Sequence, residues 1–211
     1  MTTPAPTLND TVHIDTVHVA IIVGSTRPGR QADSVARWVH GLAAGRDRAI
    51  FEVVDIAGFD LPLLDEDLPP MAAQYNRPHT HRWAETIGSF DAFVLVTPEY
   101  NHSPSAALKN ALDFLYAEWN DKAVAFVSYG IDGGIRAVEH LRQIAGELQL
   151  ADIRAAVSLS FGADFEGYTQ FRPAEGRDGA VAAMLDDLLR WASALKTMRT
   201  ATVPVGAAAR N

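Results

Sequence analysis

Apolar and polar positions fall in blocks along this chain. Val17–Val23, VHVAIIV, is an almost continuous apolar run rich in β-branched residues, the pattern of a strand buried on both faces of a parallel sheet. Ala32, Val35, Ala36, Val39 and Ala43 then recur at helical spacing and predict a helix over about 31–44. The same switch of period repeats. Strands are expected over 51–56, AFVLVT, KAVAFVSYG and ADIRAAVSLS, with helices over about 74–87, 104–119, 134–148 and 179–195. Five strands alternating with five helices predict an α/β chain, a three-layer doubly wound sheet of five parallel strands. Right-handed crossovers narrow the topology. The order 2-1-3-4-5 fits five strands and places ligands beyond the carboxyl ends of strands 1 and 3.

Composition limits what such a sheet can do. With 211 residues and 48% hydrophobic content, one core is expected: a single domain over 17–198, with a flexible leader (1–16) and tail (199–211). A net charge of -8 and the lack of a dense Lys/Arg run disfavour nucleic acid and anionic membrane as partners. The absence of Cys excludes thiol chemistry, so redox work needs a bound cofactor. The leader lacks a signal-peptide pattern and no apolar run is long enough to span a bilayer, so a soluble cytoplasmic protein is expected.

Three loops at the carboxyl ends of strands carry the unusual residues. In GSTRPGRQ, Gly24 and Gly29 have the spacing of the nucleoside-triphosphate loop, but Arg30 replaces its Lys and Gln31 its hydroxyl. The dinucleotide fingerprint fails too, because Ser25 and Thr26 follow Gly24. The loop still leads from a central strand into a helix start, where free amides and the dipole favour an anion. Ser25 and Thr26 add hydroxyl donors, and Arg27 and Arg30 add guanidinium forks. In TPEYNHSPSAALKN, Ser103 is placed as the N-cap and Pro104 as the first helical residue, leaving PEYNH as an exposed turn. Tyr100 offers a flat ring there and Asn101 offers donors and an acceptor for a planar heterocycle. In SYGIDGGIRA, Gly130, Gly133 and Gly134 permit close approach of a ligand to main-chain amides. Each loop alone also fits an ordinary turn. Together they describe a phosphate cradle beside a slot for a flat ring.

GSTRPGR, PEYNHSPSAALKNALDFL and SYGIDGGIRAVEHLR together resemble the NADPH-dependent FMN reductase family, of flavodoxin-like fold, over about Val17 to Leu195. The resemblance implies a bound FMN, reduced by NADPH or NADH as co-substrate, that passes electrons to a flavin, a quinone or a similar small-molecule acceptor. It implies that Ser25, Thr26, Arg27, Arg30 and Gln31 hold the FMN phosphate. Pro98, Glu99, Tyr100, Asn101 and His102 would line the isoalloxazine, and Ser128, Gly130, Gly133 and Gly134 would close the site. One departure stands out: many relatives have a small polar residue at the end of the first loop, where this chain has Pro28, Gly29, Arg30 and Gln31. No catalytic side chain is required, since the cofactor supplies the chemistry. A non-enzymatic FMN electron carrier or a flavin-bearing sensor module is the alternative.

Other features are expected to be structural. His79 and His81 form an H-x-H pair without a third ligand at useful spacing, so no metal site is expected. Asp65, Glu66 and Asp67 read as a solvated acidic loop. Trp38, Trp83, Trp119 and Trp191 fall on expected helices as packing residues. The stripe Leu108, Ala111, Leu112, Leu115 and Trp119, with Ala107 and Phe114 beside it, is broad for a helix covering one sheet face. It suggests a homodimer or dimer of dimers, which the family resemblance also implies.

Overall fold

A computed structural model describes residues 16–201; the expected leader and most of the expected tail lie outside them. In chain order the elements are β1 (Val17–Val23), α1 (Ala32–Ala43), β2 (Ala49–Asp55), α2 (Pro78–Gly88), β3 (Ala92–Pro98) and α3 (Ala106–Asp113). There follow β4 (Lys122–Gly130), α4 (Ile135–Glu147), β5 (Leu150–Ser160), a one-turn α5 (Phe161–Asp164), a hairpin of β6 (Phe165–Glu166) and β7 (Gln170–Phe171), and α6 (Arg177–Thr200). The main sheet has the order β2-β1-β3-β4-β5 and its pairings are parallel. The expected fold class and strand order are both present.

Alternate residues of β1 build the two sides. Val17, Val19, Ile21 and Val23 join α1 and α6 in one core layer, while Ala20 and Ile22 join Trp83, Leu108 and Leu112 in the other. That two-sided burial is why the strand shows no alternation. Val23 pairs with Val96, and Thr97 with Ser128, so the segments leaving β1, β3 and β4 emerge side by side.

The helix after β3 is shorter than the apolar stripe suggests. It stops at Asp113, and Phe114, Leu115 and Trp119 continue into turns while remaining buried. Trp119 therefore packs from a turn rather than a helix, its indole Nε1 donating to the Leu112 carbonyl at 3.2 Å. Leu108, Ala111, Leu112, Phe114, Leu115 and Trp119 all belong to the chain's own core. The stripe is broad because it meets both the sheet and α2, so it no longer argues for a subunit contact.

The acidic loop is a clamp and not merely solvated. Glu66 accepts from the amides of Asn76 and Arg77 at 2.8 and 3.0 Å, and Asp65 meets His79 Nε2 at 2.9 Å. These carboxylates bind the entry to α2, which starts at Pro78 rather than Gln74 because the intervening residues are used in the clamp. His79 is thus an acid partner, and among the described residues no group of three or more His, Cys, Asp or Glu is placed to hold a metal.

The last helix runs to Thr200, past the expected domain end. Its final turns are tied down by Asp91, which accepts from Lys196 Nζ at 2.9 Å, Arg199 Nη2 at 2.7 Å and the His18 amide at 3.0 Å. Burial works against the Asp91 carboxylate, but the His18 amide and the two cations outweigh it and hold its pKa below the ordinary value. The hairpin after β5 was not expected, since two-residue strands leave no periodic signal. It is pinned by buried Asp164, which accepts from the amides of Ser160 and Ala174 and from two nitrogens of Arg177 at 2.9 and 3.0 Å. Among the described residues no helix is long and apolar enough to cross a membrane.

Candidate functional site

The three loops meet at the carboxyl edge of the sheet. Gly24 leaves β1 with its amide donating to the Val96 carbonyl at 2.8 Å, and a Cβ at Gly24 would lie 2.6 Å from that oxygen. Only glycine allows the chain to turn there. Ser25, 1% exposed, has its Oγ 3.2 Å from Tyr100 Oη, and Arg27 Nε donates to the same oxygen at 3.3 Å. Loop one and loop two are therefore already in contact.

Arg30 and Gln31 play different parts from Arg27. The Arg30 guanidinium donates to the Ser25 carbonyl at 2.6 Å, to both oxygens of Asp33 at 2.7 and 3.1 Å, and to Asp55 Oδ2 at 2.5 Å. Its donors are committed to shaping the loop. Arg27 is exposed, and apart from Tyr100 it reaches only the carbonyls of Pro28 and Gly29. Gln31 occupies the N-cap position of α1, and no side chain caps that helix. Its first amides have no side-chain acceptor, which suits an anion arriving from solvent. A cleft of about 410 Å³ opens there over Thr26, Arg27, Gly29 and Arg30.

Loop two departs from the expected cap. Ser105, not Ser103, caps α3: its Oγ accepts from the Leu108 amide at 3.0 Å and donates to the Gly24 carbonyl at 2.5 Å. Helix α3 and loop one are thereby joined. Ser103 closes a tight turn instead, exchanging backbone hydrogen bonds with Tyr100 at 2.9 and 3.0 Å. Asn101 and His102 sit at the tip with φ of 50° and 68°, a left-handed conformation that a non-glycine residue adopts at a cost. Pro98 remains inside β3, and half-buried Glu99 turns toward loop three.

Loop three is packed against its own strand. Ser128 Oγ donates to the Gly133 carbonyl at 2.7 Å. Gly133 and Gly134 have φ of 79° and 76°, and a Cβ on Gly134 would stand 2.7 Å from the Ser128 Cβ. At Gly130 the nearest atom to an added Cβ is the Glu99 Cβ, at 3.3 Å. Glu99 stitches the two loops by accepting from the Arg136 amide at 3.1 Å and from Arg136 Nε at 2.6 Å.

Ser25, Thr26, Arg27, Arg30, Gln31, Glu99, Tyr100, Asn101, His102, Gly133 and Gly134 lie on these three adjacent loops, whereas Pro98 ends β3 and Ser128 and Gly130 lie at the end of β4. Sequence reasoning missed Ser105 and Arg136. Ser105 was within reach, since Ser103 precedes a proline suited to a first helical position and Ser105 precedes Ala106, a good helix former. Arg136 was not, because its partner lies 37 positions away.

The model of the NADPH-dependent FMN reductase family matches residues 17–164. An NAD(P)H-dependent FMN reductase of Nectria sp is 35% identical over 155 residues, 69% of this chain and 77% of that protein. Another, of Schizosaccharomyces pombe, is 39% identical over 137 residues, 64% of this chain and 68% of the relative. A quinone reductase of Pseudomonas putida is 38% identical over 133 residues, 59% and 67% of the two chains. The fold is similar to that of a flavoenzyme NAD(P)H:(acceptor) oxidoreductase from Paracoccus denitrificans, with a TM-score of 0.62 and 23% identity over 84% of this chain and 98% of that one.

Proposed function

The chain belongs to the NADPH-dependent FMN reductase family, and on that premise we propose that loops one to three hold FMN and that electrons drawn from NAD(P)H leave it for a quinone or a flavin. The enzyme is an oxidoreductase that uses FMN and NAD(P)H, which removes the electron-carrier alternative. Bound FMN supplies the acceptance of hydride and the onward transfer of electrons. The residues of this chain bind it, orient it and shape access to it.

The observation that carries the reading is the meeting of Ser25, Arg27 and Tyr100 beside the uncapped start of α1. Ser25 and Arg27 supply donors for phosphate oxygens, assisted by Thr26 and by the free amides near Gln31. Arg30 holds the Ser25 carbonyl and offsets part of the charge of Asp33 and Asp55, which lowers their repulsion of an incoming dianion. Pro98, Glu99, Tyr100, Asn101 and His102 flank the ring, and Ser128, Gly130, Gly133 and Gly134 bring main-chain amides toward its pyrimidine edge. Quinone is proposed as the acceptor because the Pseudomonas putida relative is a quinone reductase.

Steady-state kinetics with NADPH and a soluble benzoquinone test this. Parallel double-reciprocal lines are expected, as for two half-reactions through one site, and intersecting lines would contradict it. A homodimer is part of the proposal, supported by Leu63, Leu68 and Met71 exposed on one segment. Sedimentation at micromolar concentration is expected to give a dimer, and a monomer would overturn that part.

A further inference from the structure

Tyr129 is the next-to-last residue of β4, 3% exposed, in the core layer shared with α1. Its Oη is a buried side-chain oxygen without a hydrogen-bond partner among the described residues, as is Thr80 Oγ1. Packing does not explain the hydroxyl. The ring lies 6.1 Å from Phe161 and 6.0 Å from Phe165, company that a phenylalanine would keep equally well. An orphaned buried donor costs stability, so its presence points to an acceptor that arrives with a ligand.

The groups that act on the phenol say where it looks. Burial raises its pKa above the ordinary range and Tyr100 adds to this; the Arg27 cation and the Ala32 N–H, which approaches the phenol oxygen without completing a hydrogen bond, pull it down, and Asp33 raises it again. All of these belong to loop one, loop two or the first turn of α1. The phenol stays protonated across the working pH range, so it has a hydrogen to offer an acceptor there while its oxygen still faces the Ala32 N–H. The uncapped amides of α1 and the Arg27 guanidinium select an anion as that acceptor.

We propose that Tyr129 is a further cofactor-binding residue, its Oη donating to the phosphate of the flavin nucleotide held at the start of α1. This rests on loop one being the phosphate cradle. A donor buried beneath the loop complements the exposed Arg27 above it, and excludes competing water from one side of the anion.

The test titrates the flavin-stripped full-length protein with FMN and with riboflavin, which lacks the phosphate, in the wild type and in Tyr129→Phe. Wild type is expected to prefer FMN. Tyr129→Phe is expected to raise the FMN dissociation constant about tenfold, as for loss of one hydrogen bond to a charged group, with riboflavin affinity unchanged. The melting temperature of the stripped variant should equal or exceed that of wild type, because an unpartnered hydroxyl is gone. Inorganic phosphate should raise the melting temperature of stripped wild type more than that of the variant. Wild type that binds riboflavin as tightly as FMN overturns the phosphate-cradle reading and the inference with it. A preference for FMN that survives unchanged in Tyr129→Phe overturns the inference alone, as does a stripped variant that melts well below wild type, which would make the hydroxyl structural.

Discussion

Gly134→Ala is expected to lower the stability of the flavin-stripped protein by roughly 2–5 kcal/mol and to leave too little ordered loop to retain FMN. Two effects add. The φ of 76° is strained for any residue with a Cβ, and that Cβ would stand 2.7 Å from Ser128 Cβ and 2.9 Å from the Tyr129 amide nitrogen. Neither neighbour can yield, since one is in a fully buried side chain and the other in the backbone of β4. Gly29→Ala separates the two effects: its φ is 71°, yet nothing lies within 4 Å of the added carbon, so only the backbone term of about 1 kcal/mol is expected. Denaturant unfolding of both variants checks the difference. Equal losses would show that the close approach under loop three is not as tight as described.

Arg30→Ala is expected to weaken FMN binding by two orders of magnitude or more while Arg27→Ala costs about one, in keeping with a part-buried network against an exposed contact. Arg30 has a side chain only 15% exposed and joins Asp33, Asp55 and the Ser25 carbonyl. Without it, two carboxylates are left uncompensated beside the proposed phosphate cradle, and loop one loses its inner brace. Lysine cannot restore the pattern, because a point charge does not span three acceptors in different directions. Arg30→Ala combined with Asp55→Asn should recover part of the loss, since one of the two repelling charges is removed. Fluorescence titration with FMN reads all of these. An Arg30→Ala affinity equal to that of Arg27→Ala would contradict the brace.

The centre of the sheet was legible because β1, β3 and β4 are wrapped on both faces. Such strands read as unbroken apolar runs, and VHVAIIV and KAVAFVSYG match β1 and β4 end to end. Helix ends were less legible where two signals compete. Ser103 and Ser105 each suit a cap, and the choice falls to Ser105 because its hydroxyl also reaches the Gly24 carbonyl, a contact 81 positions distant. The apolar arc from Leu108 to Trp119 was read as a helix with a subunit face. It is a two-turn helix followed by turns, and the same burial serves one chain's core. At the site, the residue types that face solvent were visible. What could not be read was how they divide the work: Arg27 and Arg30 look alike in GSTRPGR, and it takes the Ser25 carbonyl, Asp33 and, from another strand, Asp55 to make Arg30 the brace. Tyr129 was hidden for a similar reason, since a tyrosine near the end of a buried strand ordinarily packs and nothing more.

The central claim is that these three loops hold an FMN that NAD(P)H reduces. The most direct test is the visible spectrum of the protein reconstituted with FMN, freed of excess flavin and then given NADPH without oxygen. Protein-bound flavin bands that bleach on addition of NADPH and return on addition of a quinone are the predicted result. A protein that retains no flavin after reconstitution, or bound bands that NADPH leaves unchanged, would contradict the account.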